Sequence, residues 1–307
     1  MAAISVSLIK ELRERTGAGM GDCKKALEAV DGDLDKAVEK LRMDGAAKAD
    51  KKAGRTAAEG IVAVASNAEA IALVEVNCET DFVAKGEDFR SLARDAAELA
   101  LDQRPAGIEA LVALQSGGKS LDERRRELVG RIGENLTIRR VEIVTAAGGP
   151  LVTYIHPGDK IAVALALKAG SEDLGKDLAM HIAAMAPRAV DPASIPAEVV
   201  ASERRIIEAQ VAQEQAEEAE AGKKPKPAEI VAKMLDGKIA KFLDEQTLVG
   251  QPFVKNDAYG LKSDAKVREV LAAQKAAVAA FVRLAVGEGI EKKQADFAAE
   301  VAAATQV

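Results

Sequence analysis

The sequence predicts an α+β fold, and three observations carry the prediction. First, a strand–turn–strand–helix pattern occurs twice: residues 60–76 read GIVAVASNAEAIALVEV and residues 149–167 read GPLVTYIHPGDKIAVALAL. In each, two apolar β-rich runs flank a short polar turn, the pattern of a hairpin. An Ala-rich helical stretch follows each, at 88–101 and 172–184. Second, the chain before the first copy reads as three short helices. Third, the second copy is interrupted by two charged helical stretches joined by GKKPKP. The expected architecture is an N-terminal three-helix module, a duplicated core of antiparallel sheet plus helices, an inserted antiparallel coiled coil and a C-terminal helical module. The copies are too long for solenoid repeats, so they read as duplicated domains.

In chain order, residues 1–54 form the three-helix module. Ser5 and Ser7 are candidate caps for a helix with Val6, Ile9 and Leu12 on one side. The loop TGAGMG at 16–21 interrupts it, and Asp22 opens a second helix with Ala26, Leu27 and Val30 inward. The turn Asp31, Gly32, Asp33 leads to a third helix with Leu34, Ala37, Val38 and Leu41 on one stripe. Met20 reads either as a contact residue or as a plug for the module's small core. Residues 45–56, GAAKADKKAGRT, read as a solvated linker or helix tail.

The first core subdomain, 55–145, adds short helices at 108–114 and 120–134 and a third strand at 137–144. Arg124, Arg125 and Arg126, and Arg139 with Arg140, have no aromatic residues interleaved as a nucleic-acid surface would. Solvated faces are the better reading. The second subdomain takes 146–189 and 248–286. LVGQPFVK at 248–255 is expected to resume its sheet, followed by a helix capped by Ser263 that carries Val267, Val270, Leu271, Val278 and Phe281. A further strand is expected at 281–286. The insertion, 190–247, has arms at 197–221 and 229–243, an αα-hairpin whose thinly apolar first arm suggests a projecting coiled coil. The C-terminal module, 287–307, contains an amphipathic helix at 296–304.

Composition excludes several function classes. With 48% hydrophobic and 30% charged residues the chain is globular. A net charge of −6 argues against a dedicated nucleic-acid binder, whose footprint would be basic. Cys23 and Cys78 lie far apart, with no metal or redox spacing, so a reducing compartment is expected. The first residues carry charges too early for a signal peptide, and no apolar run approaches the roughly 20 residues of a membrane span. The expectation is a soluble cytoplasmic protein.

A catalytic constellation is not legible. His156 precedes Pro157 in a hairpin turn and His181 sits mid-helix, neither beside a nucleophile in a known local arrangement. TGAGMGD lacks the preceding strand and the terminal Lys-Ser/Thr of a phosphate loop. No metal-ligand spacing exists. What stands out is NCETDFVAK at 77–85. It follows the second strand of the first copy and places an acid, Asp81, beside a ring, Phe82, in a chain with no Trp and six Phe. At the equivalent point of the second copy stand Lys168, Ala169 and Gly170, so the repeated fold does not require that pair.

Seven segments then carry a family resemblance: LIKELRERTGAGMGDCKKALEAVDGDLDKAVEKLR (8–42), VNCETDFVAK (76–85), IGENLTIRR (132–140), YIHPGDKIAV (154–163), MHIAA (180–184), GQPFV (250–254) and VGEGIEKK (286–293). Together they resemble the bacterial elongation factor Ts family, from end to end of the chain. The resemblance implies a guanine-nucleotide exchange factor that binds elongation factor Tu in its GDP-bound and nucleotide-free forms. It implies no covalent chemistry, no cofactor and no metal of its own. By the same resemblance the N-terminal module is ubiquitin-associated-like. Thr80, Asp81, Phe82 and Val83 match the element that intrudes near the partner's Mg²⁺ site. Ile132, Gly133 and His156 match contacts on the partner's nucleotide domain, Met20 and Lys24 those of the N-terminal module, and Val254 one in the second subdomain. Dimerisation through the coiled coil stays open. Two other readings also stay open: an adaptor for ubiquitin-like partners, which predicts no effect on nucleotide release, and an RNA-associated translation protein, which predicts salt-dependent RNA retention.

Overall fold

Helices and small antiparallel sheets together make the chain an α+β protein, as its patterning predicts. The computed structural model describes residues 4–222 and 226–291. The expected helix at 296–304, and with it most of the expected C-terminal module, lies outside the described residues. The chain divides into two units. The described parts of Met1–Ile143, Ile155–Ala162 and Leu284–Val307 form the first, and Val144–Tyr154 with Val163–Arg283 the second.

The first unit begins with α1 (Val6–Thr16), α2 (Met20–Ala29) and α3 (Leu34–Lys52). The Ser5 hydroxyl caps α1 by accepting the Leu8 N–H at 3.2 Å, and Asp33 caps α3 by accepting the Lys36 N–H at 3.0 Å. Ile9, Leu12, Cys23, Ala26, Leu27 and Ala37 form their core. Val6, expected inward, is exposed.

Of the two readings of residues 45–56, linker or helix tail, the helix tail holds for most of the stretch, because α3 runs on to Lys52. Ala and Lys are good helix formers, and Gly45 is a packing contact. Gly45 on α3 meets Gly130 on α7 (Leu121–Ile132) so closely that a Cβ built at Gly130 lies 2.9 Å from the Gly45 Cα. The contact is asymmetric. A Cβ at Gly45 would meet only ordinary neighbours, the Arg126 carbonyl and the Gly130 Cα, at 3.8 Å. Gly130→Ala is therefore expected to destabilise by about 1–3 kcal/mol through overpacking. Gly45→Ala is expected to be neutral or to stabilise by up to about 1 kcal/mol through helix propensity. Urea unfolding of the two variants checks the opposite signs.

Next come β1 (Glu59–Ser66) and β2 (Ala70–Cys78), antiparallel, with Glu59 opposite Cys78 and Ser66 opposite Ile71. After β2 follow the single-turn α4 (Asp81–Ala84), α5 (Glu87–Gln103) and α6 (Ile108–Ala113). A short hairpin closed by Gly117 and Gly118, both at positive φ, pairs β3 (Gln115–Ser116) with β4 (Lys119–Ser120) and leads into α7. Ser120 and Glu123 close a capping box at the start of α7. β5 (Thr137–Thr145) completes the order β1-β2-β5. The face of α5 carrying Phe89, Leu92, Ala93, Ala96, Ala97 and Ala100 is buried against this sheet, its alanines allowing close approach. Burying Phe89 alone contributes roughly 1.5–3 kcal/mol.

The second unit carries a sheet of order β6-β7-β8, from β6 (Leu151–Ile155), β7 (Ile161–Ala169) and β8 (Ala277–Ala285). Its helix α8 (Glu172–Met185) seats Gly175 against the side chains of Val152 and Leu167. α9 (Ala197–Glu220) and α10 (Ala228–Gln246) share a thin core of Ile207, Val211 and Ile239. Arg204 pairs with Asp236 at 3.8 Å and Lys238 with Glu214 at 2.7 Å across the two helices.

Two expectations for this unit are corrected. Residues 248–255 are not a strand: Leu248–Gly250 is a 3-10 turn, and only Pro252 bridges, to Lys266. A proline cannot donate to a ladder, and this apolar run is buried as anchoring side chains. The helix placed through Phe281 ends early as α11 (Val267–Ala273), and Lys275 at φ 50° breaks it. Val278 and Phe281 belong to β8, the strand that completes the sheet. β8 covers most of the strand expected at 281–286 and begins four residues before it, at Ala277.

Candidate functional site

Strand β2 is buried along its whole length, and its two faces do different things. Ala70, Ala72, Val74, Val76 and Cys78 face the helices of the core. The opposite face carries Glu75 and Asn77, both buried. Glu75 accepts from Arg139 at 3.1 Å, from Asn77 at 3.0 Å, from the Gly287 N–H at 2.8 Å, and from Arg140. Arg139 and Arg140 then donate to the carbonyls of Glu288 and Ala285, both at 2.7 Å. These arginines, expected on a solvated face, are half-buried and hold the chain after β8 onto β2. Burial pushes the Glu75 carboxyl up, but the hydrogen bonds from Gly287, Arg140 and Asn77 outweigh it and hold it below the usual range.

At the end of β2 the chain turns through Cys78, Glu79 and Thr80. The Cys78 thiol donates to the Thr80 carbonyl at 3.0 Å and is pushed up to about 12 by burial and by nearby Glu134 and Glu59. It is an inert structural group. Thr80 is the N-cap of α4: its hydroxyl accepts from the Val83 N–H at 3.4 Å. Asp81 and Phe82, singled out in the sequence as following the second strand, open this one-turn helix. Ala84 is buried and Val83 packs against the core, so helical geometry turns Phe82 outward. It is 80% exposed, the most exposed of the chain's described large apolar side chains. Asp81 pairs with Lys85 at 2.6 Å, and the Lys85 ammonium stands 5.8 Å from the Phe82 ring centre. The hydrogen bond from Lys85, aided by the charge of Lys160, holds the Asp81 carboxyl below its ordinary value. Asp81 is therefore a fixed negative charge beside an exposed ring.

The structure brings further expected site residues to this turn. Ile132 ends α7 half-buried on the core, and Gly133 stops the helix at φ 85°, a conformation suited to glycine. The next residue, Glu134, accepts from both the Thr80 N–H at 3.0 Å and the Thr80 hydroxyl at 2.7 Å. Asn135 donates its N–H to Glu79 at 2.6 Å and its amide to the Arg55 carbonyl at 2.8 Å. Lys52, at the end of α3, donates to the Gly133 carbonyl. His156 lies exposed in a turn closed by its N–H to the Ile161 carbonyl at 2.9 Å. That turn is tied down by Asp159, whose carbonyl accepts the Val62 N–H at 2.8 Å and whose carboxylate pairs with Arg90 of α5. Lys160 pairs with Glu59 and reaches Asp81 with its charge.

Met20 is 39% exposed at the first residue of α2 and is outside the helices' core, so it does not plug that core. Lys24, one turn on, pairs at 3.7 Å with Glu28. Val254 belongs to the second unit, where it is 49% exposed. Its neighbour Phe253 is buried, with ring centres 5.5 Å from His181 and 5.7 Å from Tyr259. The Gln251 amide donates to the Glu245 carbonyl at 2.9 Å, so its oxygen faces His181 Nε2 at 3.1 Å and that nitrogen donates. Burial pushes His181 down, which keeps it neutral. This packing fixes Val254 outward and offers no reacting group.

Several residues the sequence reading passed over shape the site: Glu134, Asn135, Lys52, Arg90, Asp159 and Lys160. Only Asn135, just after the helix expected at 120–134, hinted at a structural role. Among the described residues no group of His, Cys, Asp and Glu could hold a metal ion, and no helix is long and apolar enough to cross a membrane. The arrangement can bind, present a ring and a charge, and hold both in place.

A family profile described as Elongation factor TS matches residues 79–288. Across nearly its whole length the chain is similar to curated proteins named Elongation factor Ts. It is 49% identical over 302 residues to that of Thioalkalivibrio sulfidiphilus, covering 98% of each chain. It is 48% identical over 304 residues to that of Methylococcus capsulatus, again with 98% of each covered. With that of Burkholderia thailandensis it shares 50% identity over 303 residues, 99% of this chain and 97% of the other.

Proposed function

The chain belongs to the elongation factor Ts family, and on that premise we propose that the turn at 80–83 is the part of it that drives nucleotide exchange. The protein is a translation elongation factor, the exchange factor of elongation factor Tu, acting by binding and without covalent chemistry of its own. The finer reading is mechanical. Phe82 inserts into the partner and displaces a helix there, and Asp81 acts on the partner's Mg²⁺ site through its charge, not as a ligand to the ion. A factor of this kind need not touch GDP. It must bind the form with a disturbed phosphate site better than the GDP-bound form, and the coupling is reciprocal.

The observation that carries this reading is the exposure of Phe82, 80% in a folded turn whose neighbours Val83 and Ala84 pack inward. Met20, Lys24, Ile132, Gly133, His156 and Val254 are read as further contacts with the same partner. The three N-terminal helices are read as the ubiquitin-associated-like module, the two three-stranded sheets with α5 and α8 as copies of one unit, and α9 with α10 as the coiled coil. A cytoplasmic setting, with no nucleic acid or membrane bound, follows from the same reading. Release of fluorescently labelled GDP from elongation factor Tu, followed by stopped flow, tests it. Acceleration that saturates with factor concentration is expected, and release at the spontaneous rate would favour an adaptor or an RNA-associated protein.

A further inference from the structure

We propose that Glu134 is the positioning residue for exchange: its carboxylate fixes the Asp81–Phe82 turn and sets the spacing between that turn and the Ile132–Gly133 contact. The inference rests on the role proposed above for the turn and adds the group that makes it rigid. A helix of one turn cannot hold itself, because a single turn fixes several dihedrals for one hydrogen bond. α4 has four residues, Asp81–Ala84. Its N-cap, Thr80, is held from outside. One oxygen of Glu134 takes the Thr80 N–H at 3.0 Å and the other takes the Thr80 hydroxyl at 2.7 Å. That second bond commits the hydroxyl proton, so the Thr80 oxygen stays turned as the acceptor of the Val83 N–H. An ionised carboxylate accepts two such bonds at once, and they are stronger than neutral ones.

Glu134 is itself well anchored. It follows the left-handed Gly133, whose carbonyl is held by Lys52, and it precedes Asn135, which is bonded to Glu79 and to the Arg55 carbonyl. Through this lacing the end of α7, the end of α3 and the start of α4 form one piece. Phe82 thus meets a partner already ordered, and the ordering entropy of a loose turn is not lost on binding.

A positioning role predicts a particular split in the exchange kinetics with elongation factor Tu. Glu134→Gln keeps the size but presents a donor where Thr80 needs an acceptor; Glu134→Ala removes both bonds. Each is expected to lower the maximal rate of GDP release by about tenfold, with the half-saturating factor concentration changed by less than about threefold. Thr80→Val should behave alike, and Glu134→Ala added to it should cost much less than it does alone. In the free proteins, hydrogen exchange at the Thr80 and Val83 amides should quicken in Glu134→Gln while the amides of α5 keep their protection. A wild-type maximal rate in both Glu134 variants overturns the inference, as does a loss confined to half-saturation, full additivity with Thr80→Val, or unchanged exchange at Thr80. Phe82→Ala, run in parallel, separates the two levels. If it slows release and the Glu134 variants do not, only the role of Glu134 falls; if it leaves release at the wild-type rate, the role of the turn falls and that of Glu134 with it.

Discussion

Phe82→Ala is expected to remove most of the exchange activity, lowering the saturated rate of GDP release by about a hundredfold or more, while the free protein unfolds at the wild-type temperature. The energetics make the first half reasonable. Accelerating release about a thousandfold requires lowering a barrier by roughly 4 kcal/mol. A phenyl ring buried in a partner pocket removes on the order of 150–250 Å² from water. At about 25 cal/mol per Å² that is close to the same amount. The second half follows from exposure. The ring is 80% exposed in the free chain, so its loss leaves no cavity. Surface substitutions of this kind stay within about 0.5 kcal/mol. The interactions around it support the same split: the Asp81–Lys85 pair and the ammonium 5.8 Å from the ring are solvent-exposed and hold the ring only weakly. A large fall in thermal midpoint, or wild-type release at saturating factor, would each count against the assignment.

The largest effect on stability is expected at Glu75. Glu75→Gln should destabilise the protein by about 3–5 kcal/mol, the cost typical of breaking a buried ion pair from one side. Gln offers one carbonyl oxygen where Arg139, Arg140, Asn77 and the Gly287 N–H all donate to a carboxylate. The residue is fully buried, so water cannot take its place. The same network gives a pH signature. Because the folded carboxyl is held below its ordinary value, its stabilisation is complete above the pH where an unfolded Glu titrates, about 4.3. It is lost as the pH falls through the lower folded value. Urea unfolding between about pH 3 and 7 should show the wild type losing stability at the acid end, and Glu75→Gln should lose less there. Identical acid profiles would mean that Glu75 does not carry this linkage.

Local features were legible because they depend on neighbours in the chain. The cap at Ser5 and the hairpin of β1 and β2 follow from residue types a few positions apart. So does the prominence of Asp81 and Phe82 at the end of a strand. Where local signals conflicted, packing decided. Residues 45–56 read either as a linker or as a helix tail; α3 runs on to Lys52, and Gly130 lets α7 approach it at Gly45. Residues 248–255 looked like a strand, and a proline and the demand for buried anchors made them something else.

By itself, then, the sequence determined the family, the α+β class, most of the helices, and a lone acid–aromatic pair that the repeated unit does not need. Only the tertiary structure decided what holds that pair and what faces outward. Thr80 meets Glu134 across 54 residues, and Glu75 meets Gly287 across 212. Periodicity and capping are short-range and can be read along the chain. A carboxylate's partners are set by the packing that brings distant segments together, and no local pattern records them.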